Sequence, residues 1–228
     1  MSKKNQKQKN QSRQTNWFII IGVGVVGVVG LFALLLLNMQ PQQVITLEER
    51  CDQDEAVCVS VGAADAPVKM IEVLDFGCPH CRDFHEQTSP LLDQLYVQTG
   101  QVQFVYYPYA LSAQTIPATN ASLCAQEQNA YATYVDALFD QFETADARER
   151  AGLLRAAEAV GLDMEAFTAC VDDGRYNKTI QQNIEVARRQ RVSSTPTFFI
   201  NGRVISGARP FTDFQQQIER ALNLEVTE

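Results

Sequence analysis

Val68-Lys69-Met70-Ile71-Glu72-Val73-Leu74-Asp75-Phe76-Gly77-Cys78-Pro79-His80-Cys81 is the stretch on which the reading of this chain turns. Its first seven residues are mostly apolar and partly β-branched, which predicts a strand over 68–74. The stretch over 82–99 that follows predicts a helix, with Phe84, Leu91, Leu92 and Leu95 as its apolar positions and a kink at Pro90. The Cys-x-x-Cys motif therefore falls where a strand ends and a helix begins. Unpaired N–H groups and the positive end of the helix dipole meet there, and both favour a thiolate at Cys78. Pro79 suits the first helical position because its missing N–H is not needed. A protonated His80 would add a cation beside the sulfur. Together these place the expected Cys78 pKa at roughly 3.5–7.5. Cys81 follows one turn later, close enough to close a small disulfide ring. A stabilised thiolate favours the reduced form and makes that disulfide a stronger oxidant.

A structural zinc needs four ligands. The chain has two histidines, His80 and His85, so Cys78, Cys81 and His85 lack an evident fourth partner. No metal and no cofactor are predicted, and His85 reads as a partly exposed helix histidine. Glu72 lies six residues before Cys78. Strand alternation fixes its face, and a partly buried carboxyl there could relay the proton of Cys81. The same position also fits a surface strand glutamate.

Further along, Val102 to Tyr107 predicts a second strand, and a long helical stretch runs over roughly 112–191. Tyr131, Tyr134, Val135, Leu138, Phe139 and Phe142 share one face within it. Arg188, Arg189 and Arg191 sit where cations suit a helix end. Thr197 to Ile200 is a strand, Asn201-Gly202 a hairpin turn and Val204 to Ser206 the return strand. Thr212 and Gln215 have capping-box spacing for a last helix. The Thr195-Pro196 pair precedes a strand, a place where proline is often cis and leaves a flat backbone edge toward a ligand. This order describes an α/β mixed sheet, covered on both faces, with a helical insertion of about 80 residues, longer than any plain loop.

The N-terminal part is different in kind. Residues 1–16 carry Lys3, Lys4, Lys7, Lys9 and Arg13 and no acid, and 17–37 contain no charge. This reads as a basic cytoplasmic tail and one transmembrane helix, a retained signal-anchor rather than a cleaved signal peptide, with the rest of the chain extracytoplasmic. Residues 38–66 read as a polar tether, and 67–228 as the folded domain. Net charge is −8 overall; without the five cations of the tail the remainder carries −13. A surface that acidic repels phosphate backbones, so no nucleic acid is expected as a partner. Four cysteines lie outside the motif. Outside the cytoplasm an even number favours pairing. Cys124–Cys170, both in the helical block, and Cys51–Cys58, which is local, are the favoured structural disulfides. A buried free thiol at Cys170 and intermolecular pairing of Cys51 and Cys58 are the alternatives.

The segments 66–85 and Thr195 to Gly202 closely resemble, in that order, the two motifs of DsbA-like thiol-disulfide oxidoreductases, and the likeness covers about residues 60–225. It implies a thioredoxin fold with an inserted helical domain, and Cys78, Cys81 and Pro196 as site residues, with Glu72 at the buried acid position. It also implies a membrane-tethered dithiol oxidase that introduces disulfides into unfolded secreted proteins and is reoxidised by a membrane quinone-linked thiol oxidase. Thr195 departs from the apolar residue of the strong oxidases and occurs in isomerase-type relatives. A reductase or isomerase is therefore the runner-up, and a copper-delivery module the reading from another class.

Overall fold

A computed structural model describes residues 45–53 and 57–225, together with Gly30 and Phe32. The chain divides into two units, Met1–Gln43 and Val44–Glu228, and the fold described is that of the second. The basic tail, most of the apolar run over 17–37 and the first part of the tether fall outside the described residues. Among those described, no helix is long and apolar enough to cross a membrane.

Five strands form one sheet in the order β1-β3-β2-β4-β5. They are β1 (Val59–Val61), β2 (Val68–Leu74), β3 (Val102–Pro108), β4 (Thr197–Ile200) and β5 (Arg203–Ser206). β2 and β3 are parallel, and the other pairs are antiparallel. Residues on both faces of β2 are buried, as expected of a central strand covered on two sides. Helices α2 (Pro79–Gln87) and α9 (Phe211–Glu225) meet one face through Phe84. Its ring lies 4.5 Å from Phe198 and 5.4 Å from Phe214.

The expected kink at Pro90 is a full break. α2 ends at Gln87, and Pro90 sits in the first turn of a new helix, α3 (Ser89–Leu92). A wider turn follows, closed by Gln98 N–H to the Asp93 carbonyl at 2.9 Å. The insertion comprises α4 (Ile116–Gln126), α5 (Tyr131–Asp140), α6 (Arg150–Ala159), α7 (Met164–Asp172) and α8 (Asn177–Arg189). The aromatic face read over 131–142 is buried at Tyr131, Tyr134, Val135, Leu138 and Phe139. Arg188 and Arg189 occupy the last turn of α8, where their charge suits the dipole.

Two expectations are corrected. Residues 38–66 are not a spacer throughout. Leu47–Gln53 form a helix, α1, and Val59–Val61 pair with Phe104 to Tyr106 as an edge strand. Composition misled because α1 is polar, and its start signal is a capping box at Thr46 and Glu49. The Glu49 N–H donates to Thr46 Oγ1 at 3.1 Å and the Thr46 N–H donates to Glu49 Oε2 at 2.8 Å. By contrast Thr212 is not a cap, because α9 already begins at Phe211.

Asn183 fastens this N-terminal piece to the body. Its buried side chain donates to the carbonyls of Val57 and Pro108 at 3.2 and 3.1 Å, and accepts from Arg50 Nε at 3.4 Å. The structure joins Cys51 to Cys58 and Cys124 to Cys170, the two favoured pairings. Cys124 lies on α4 and Cys170 on α7, so the second bond crosslinks the insertion. Replacing both Cys124 and Cys170 with Ser should cost about 2–4 kcal/mol of stability, since the bond closes a long loop. Urea unfolding of the variant measures this loss. The titration of Cys78 should stay where it is.

Candidate active site: a dithiol at a helix start

Cys78 is the N-cap of α2 and Pro79 its first residue, as the sequence placed them. The loop before it is held by Asp75, whose buried carboxyl accepts from the Gly77 N–H at 2.7 Å. It also accepts from the Leu111 N–H at 2.7 Å and the Thr115 hydroxyl at 2.6 Å. A Cβ on Gly77 would stand 2.6 Å from the Thr115 methyl, so only glycine fits. The Asp75 carbonyl accepts the Cys78 N–H at 3.1 Å. Loop and helix start are thus fixed to the segment that joins β3 to α4. The sequence reading did not single out Asp75. A carboxyl three residues before the first cysteine was its only signal.

Cys78 and Cys81 are both reduced, with 8 % and 0 % exposure. The peptide bond Thr195-Pro196 is cis, and Cys78 Sγ donates to the Thr195 carbonyl at 3.2 Å. The two motifs, over a hundred residues apart in sequence, therefore meet at one sulfur. The Thr195 hydroxyl is buried and unpartnered while Cys78 is a thiol, and is free to turn toward the sulfur once it ionises.

Cys78 titrates at about 6, well below an ordinary thiol. The first cause is a hydrogen bond from the Cys81 thiol. Burial opposes it, and Thr195 and the backbone N–H groups of Cys81 and His80 add to the lowering. The His80 ring turns instead toward Asp83. It is largely exposed, with Nδ1 3.7 Å from the Asp83 carboxylate. The expected thiolate is therefore stabilised, by the backbone N–H groups of the helix start as read and, first of all, by the partner thiol. Cys81 moves the other way. Burial pushes its thiol well above the ordinary value, and the Cys78 sulfur and the Glu72 charge push in the same direction.

Glu72 is completely buried on β2, so the surface alternative for it falls. His85 was expected to be partly exposed on the helix; instead it is buried, with Nε2 3.0 Å from Glu72 Oε2. An i+4 count from Cys81 gave the helix face but not what lay under it, and β2 is what lies there. Among the described residues no group of three or more His, Cys, Asp or Glu is arranged to hold a metal ion.

This arrangement can exchange a disulfide through one nucleophilic sulfur and hold the second as a neutral thiol. Alkylation of the reduced protein should modify Cys78 alone, with a rate that rises through a midpoint near pH 6. Mass spectrometry of quenched samples locates the adduct. Thr195→Val removes a group that favours the thiolate, so the midpoint should move upward.

Residues 55–220 match a family model described as Thioredoxin. The Na(+)/H(+) antiporter NhaA 3 of Salinispora tropica is 35% identical over 153 residues, 62% of this chain and 21% of that protein. A putative protein-disulfide oxidoreductase of Rickettsia bellii is 23% identical over 67% of this chain and 59% of its own length. This chain thus spans about a fifth of the first relative and under two thirds of the second. The crystal structure of Wolbachia pipientis alpha-DsbA1 superposes with a TM-score of 0.68 at 23% identity, covering 75% of this chain and 93% of that one. That likeness shows the fold, including the inserted helices. With the family model matching well over half its length, and with a cysteine pair at a helix start against a proline-led strand, the chain belongs to the thioredoxin family.

Proposed function

We propose that the chain is a protein-disulfide oxidoreductase acting as a dithiol oxidase through Cys78 and Cys81. The observation that carries this is the Cys78 sulfur, which titrates at about 6. A thiolate stabilised that far lowers the free energy of the reduced protein, so the oxidised protein gives up its disulfide readily. A substrate thiolate attacks Cys78, and Cys81 leaves with the electron pair. A second substrate thiolate then displaces Cys78, which departs as a stable thiolate. Glu72 supplies the proton that Cys81 must gain, and takes it back when the enzyme is reoxidised. A groove of about 320 Å3 is lined by His80, Asp83, Thr88, Arg209 and Pro210, and His80 follows Cys78 by two residues.

The substrates in this reading are unfolded secreted proteins, and the reoxidant is a membrane quinone-linked thiol oxidase. The basic tail and the apolar run over 17–37 support a single-pass anchor with the domain outside. The pairs Cys51–Cys58 and Cys124–Cys170 support an oxidising compartment. Thr195 supports a second reading, a reductase or isomerase, because it departs from the apolar residue of the strong oxidases.

The reduction potential decides between them. Equilibration with glutathione should give a value well above thioredoxin's roughly −270 mV, and a value near that figure would favour the reductase. Linkage gives a second expectation. The Cys78 pKa is depressed in the folded reduced protein, so the stability it confers is full above the ordinary thiol value and lost as pH falls through about 6. Thermal unfolding should therefore find the excess stability of the reduced over the oxidised form shrinking as pH drops across that range. Glu72→Gln should leave the fold intact and slow the exchange step in which Cys81 changes protonation, by at least about tenfold.

A further inference from the structure

Behind the two sulfurs, Glu72 and His85 form a buried pair with both outer atoms open. Glu72 Oε1 and His85 Nδ1 have no hydrogen-bond partner, although both are buried. Orphaned polar atoms are costly unless water reaches them or the group has work to do. His85 is one wall of a cavity of about 290 Å3 whose other walls include Ser89, Asp93, Tyr106 and Asp136. Asp136 is exposed, so the cavity reaches solvent. That volume holds several waters, and Ser89, Asp93, Tyr106 and Asp136 in its mixed lining offer them partners.

Every element packed on the ring can be named. β2 brings Glu72, and β3 brings Tyr106, whose ring stacks on His85 at 6.0 Å. α5 brings Phe139, stacked at 4.9 Å, and Asp136. The turn after α3 brings Asp93. The helix that carries His85 also carries Cys81. All the charged groups facing the imidazole are acids, and no lysine or arginine lines the cavity. Partial desolvation on its cavity side holds the Asp136 carboxyl above its ordinary value, with His85 pulling the other way.

We infer that His85 is the solvent-side station of a proton route to Cys81, with Glu72 as the inner station and the cavity beside His85 as the water inlet. The inference rests on the dithiol exchange proposed above and extends it. When a substrate thiolate attacks Cys78, a sulfur–sulfur bond forms there and the Cys78–Cys81 bond breaks. Its electron pair stays on Cys81. Glu72 gives Cys81 a proton and recovers one from His85 Nε2. His85 takes its replacement at Nδ1 from water in the cavity. Reoxidation runs the same transfers backward, and no electron leaves the sulfurs by this route. The imidazole suits the role because it can bind a proton on one nitrogen while releasing one from the other.

The test compares His85→Gln with Glu72→Gln. Glutamine at 85 keeps a donor for Glu72 but cannot carry a proton through. Single-turnover exchange with a dithiol peptide should slow at least about tenfold in His85→Gln, with a flattened pH profile and unchanged Cys78 alkylation. In His85→Ala, imidazole in the buffer should restore the rate by entering the vacated space, which a purely structural role would not allow. If His85→Gln exchanges like the wild type while Glu72→Gln is slow, the route through His85 is wrong and the role of Glu72 stands. If both exchange like the wild type, the reading of Glu72 fails with it. Should neither His85 variant fold, nitrogen resonances of the wild-type ring decide. The protonated nitrogen should change between the oxidised and reduced protein, and identical spectra in both states would overturn the inference.

Discussion

Everything about the site follows from one sulfur standing at the end of a helix. Cys78 is the residue on which α2 starts, so the N–H groups that a helix cannot pair internally converge on it. The next cysteine is one turn further in and completely buried. One position thus favours the anion and the other forbids it. The asymmetry needs the helix start to be held against the cis Thr195-Pro196 bond that leads into β4.

Much of this was legible in the residues. Val68 to Leu74 and Val102 to Tyr107 are strands as read, and the hairpin at Asn201-Gly202 is where its dipeptide put it. These are positions where local preference and burial agree. The misreadings have a common cause. α1 is polar apart from Leu47 and Cys51, and its Arg50 is held by Asn183, more than a hundred residues away. No local pattern carries that contact. His85 was misplaced for the same reason, since a lone histidine on a helix face looks identical whether solvent or a strand glutamate lies opposite.

The site shows the same division. The motif named Cys78, Cys81 and Pro196, and chain spacing suggested Glu72. The helix start pointed to backbone amides as a source of thiolate stabilisation, and the structure draws on them. The share of the neighbouring Cys81 thiol, the largest, depends on how the two side chains turn toward each other and has no local signature. Asp75 escaped notice because its three partners are a glycine amide, a leucine amide and a threonine hydroxyl, none of which has a signature of its own.

That carboxyl bears on how the fold can be taken apart. The helical block sits between two strands that are close neighbours across β2, and on topology alone it looks removable. Yet two of the three donors to Asp75, at Leu111 and Thr115, come from the segment that leads into the block. Excising the block together with that segment would leave a buried carboxyl with a single partner directly beneath the nucleophile. A trimmed protein would need an apolar residue at 75 or a new donor in the shortened connection. The insertion is thus less a module attached to the catalytic fold than a part of the footing on which the catalytic loop stands.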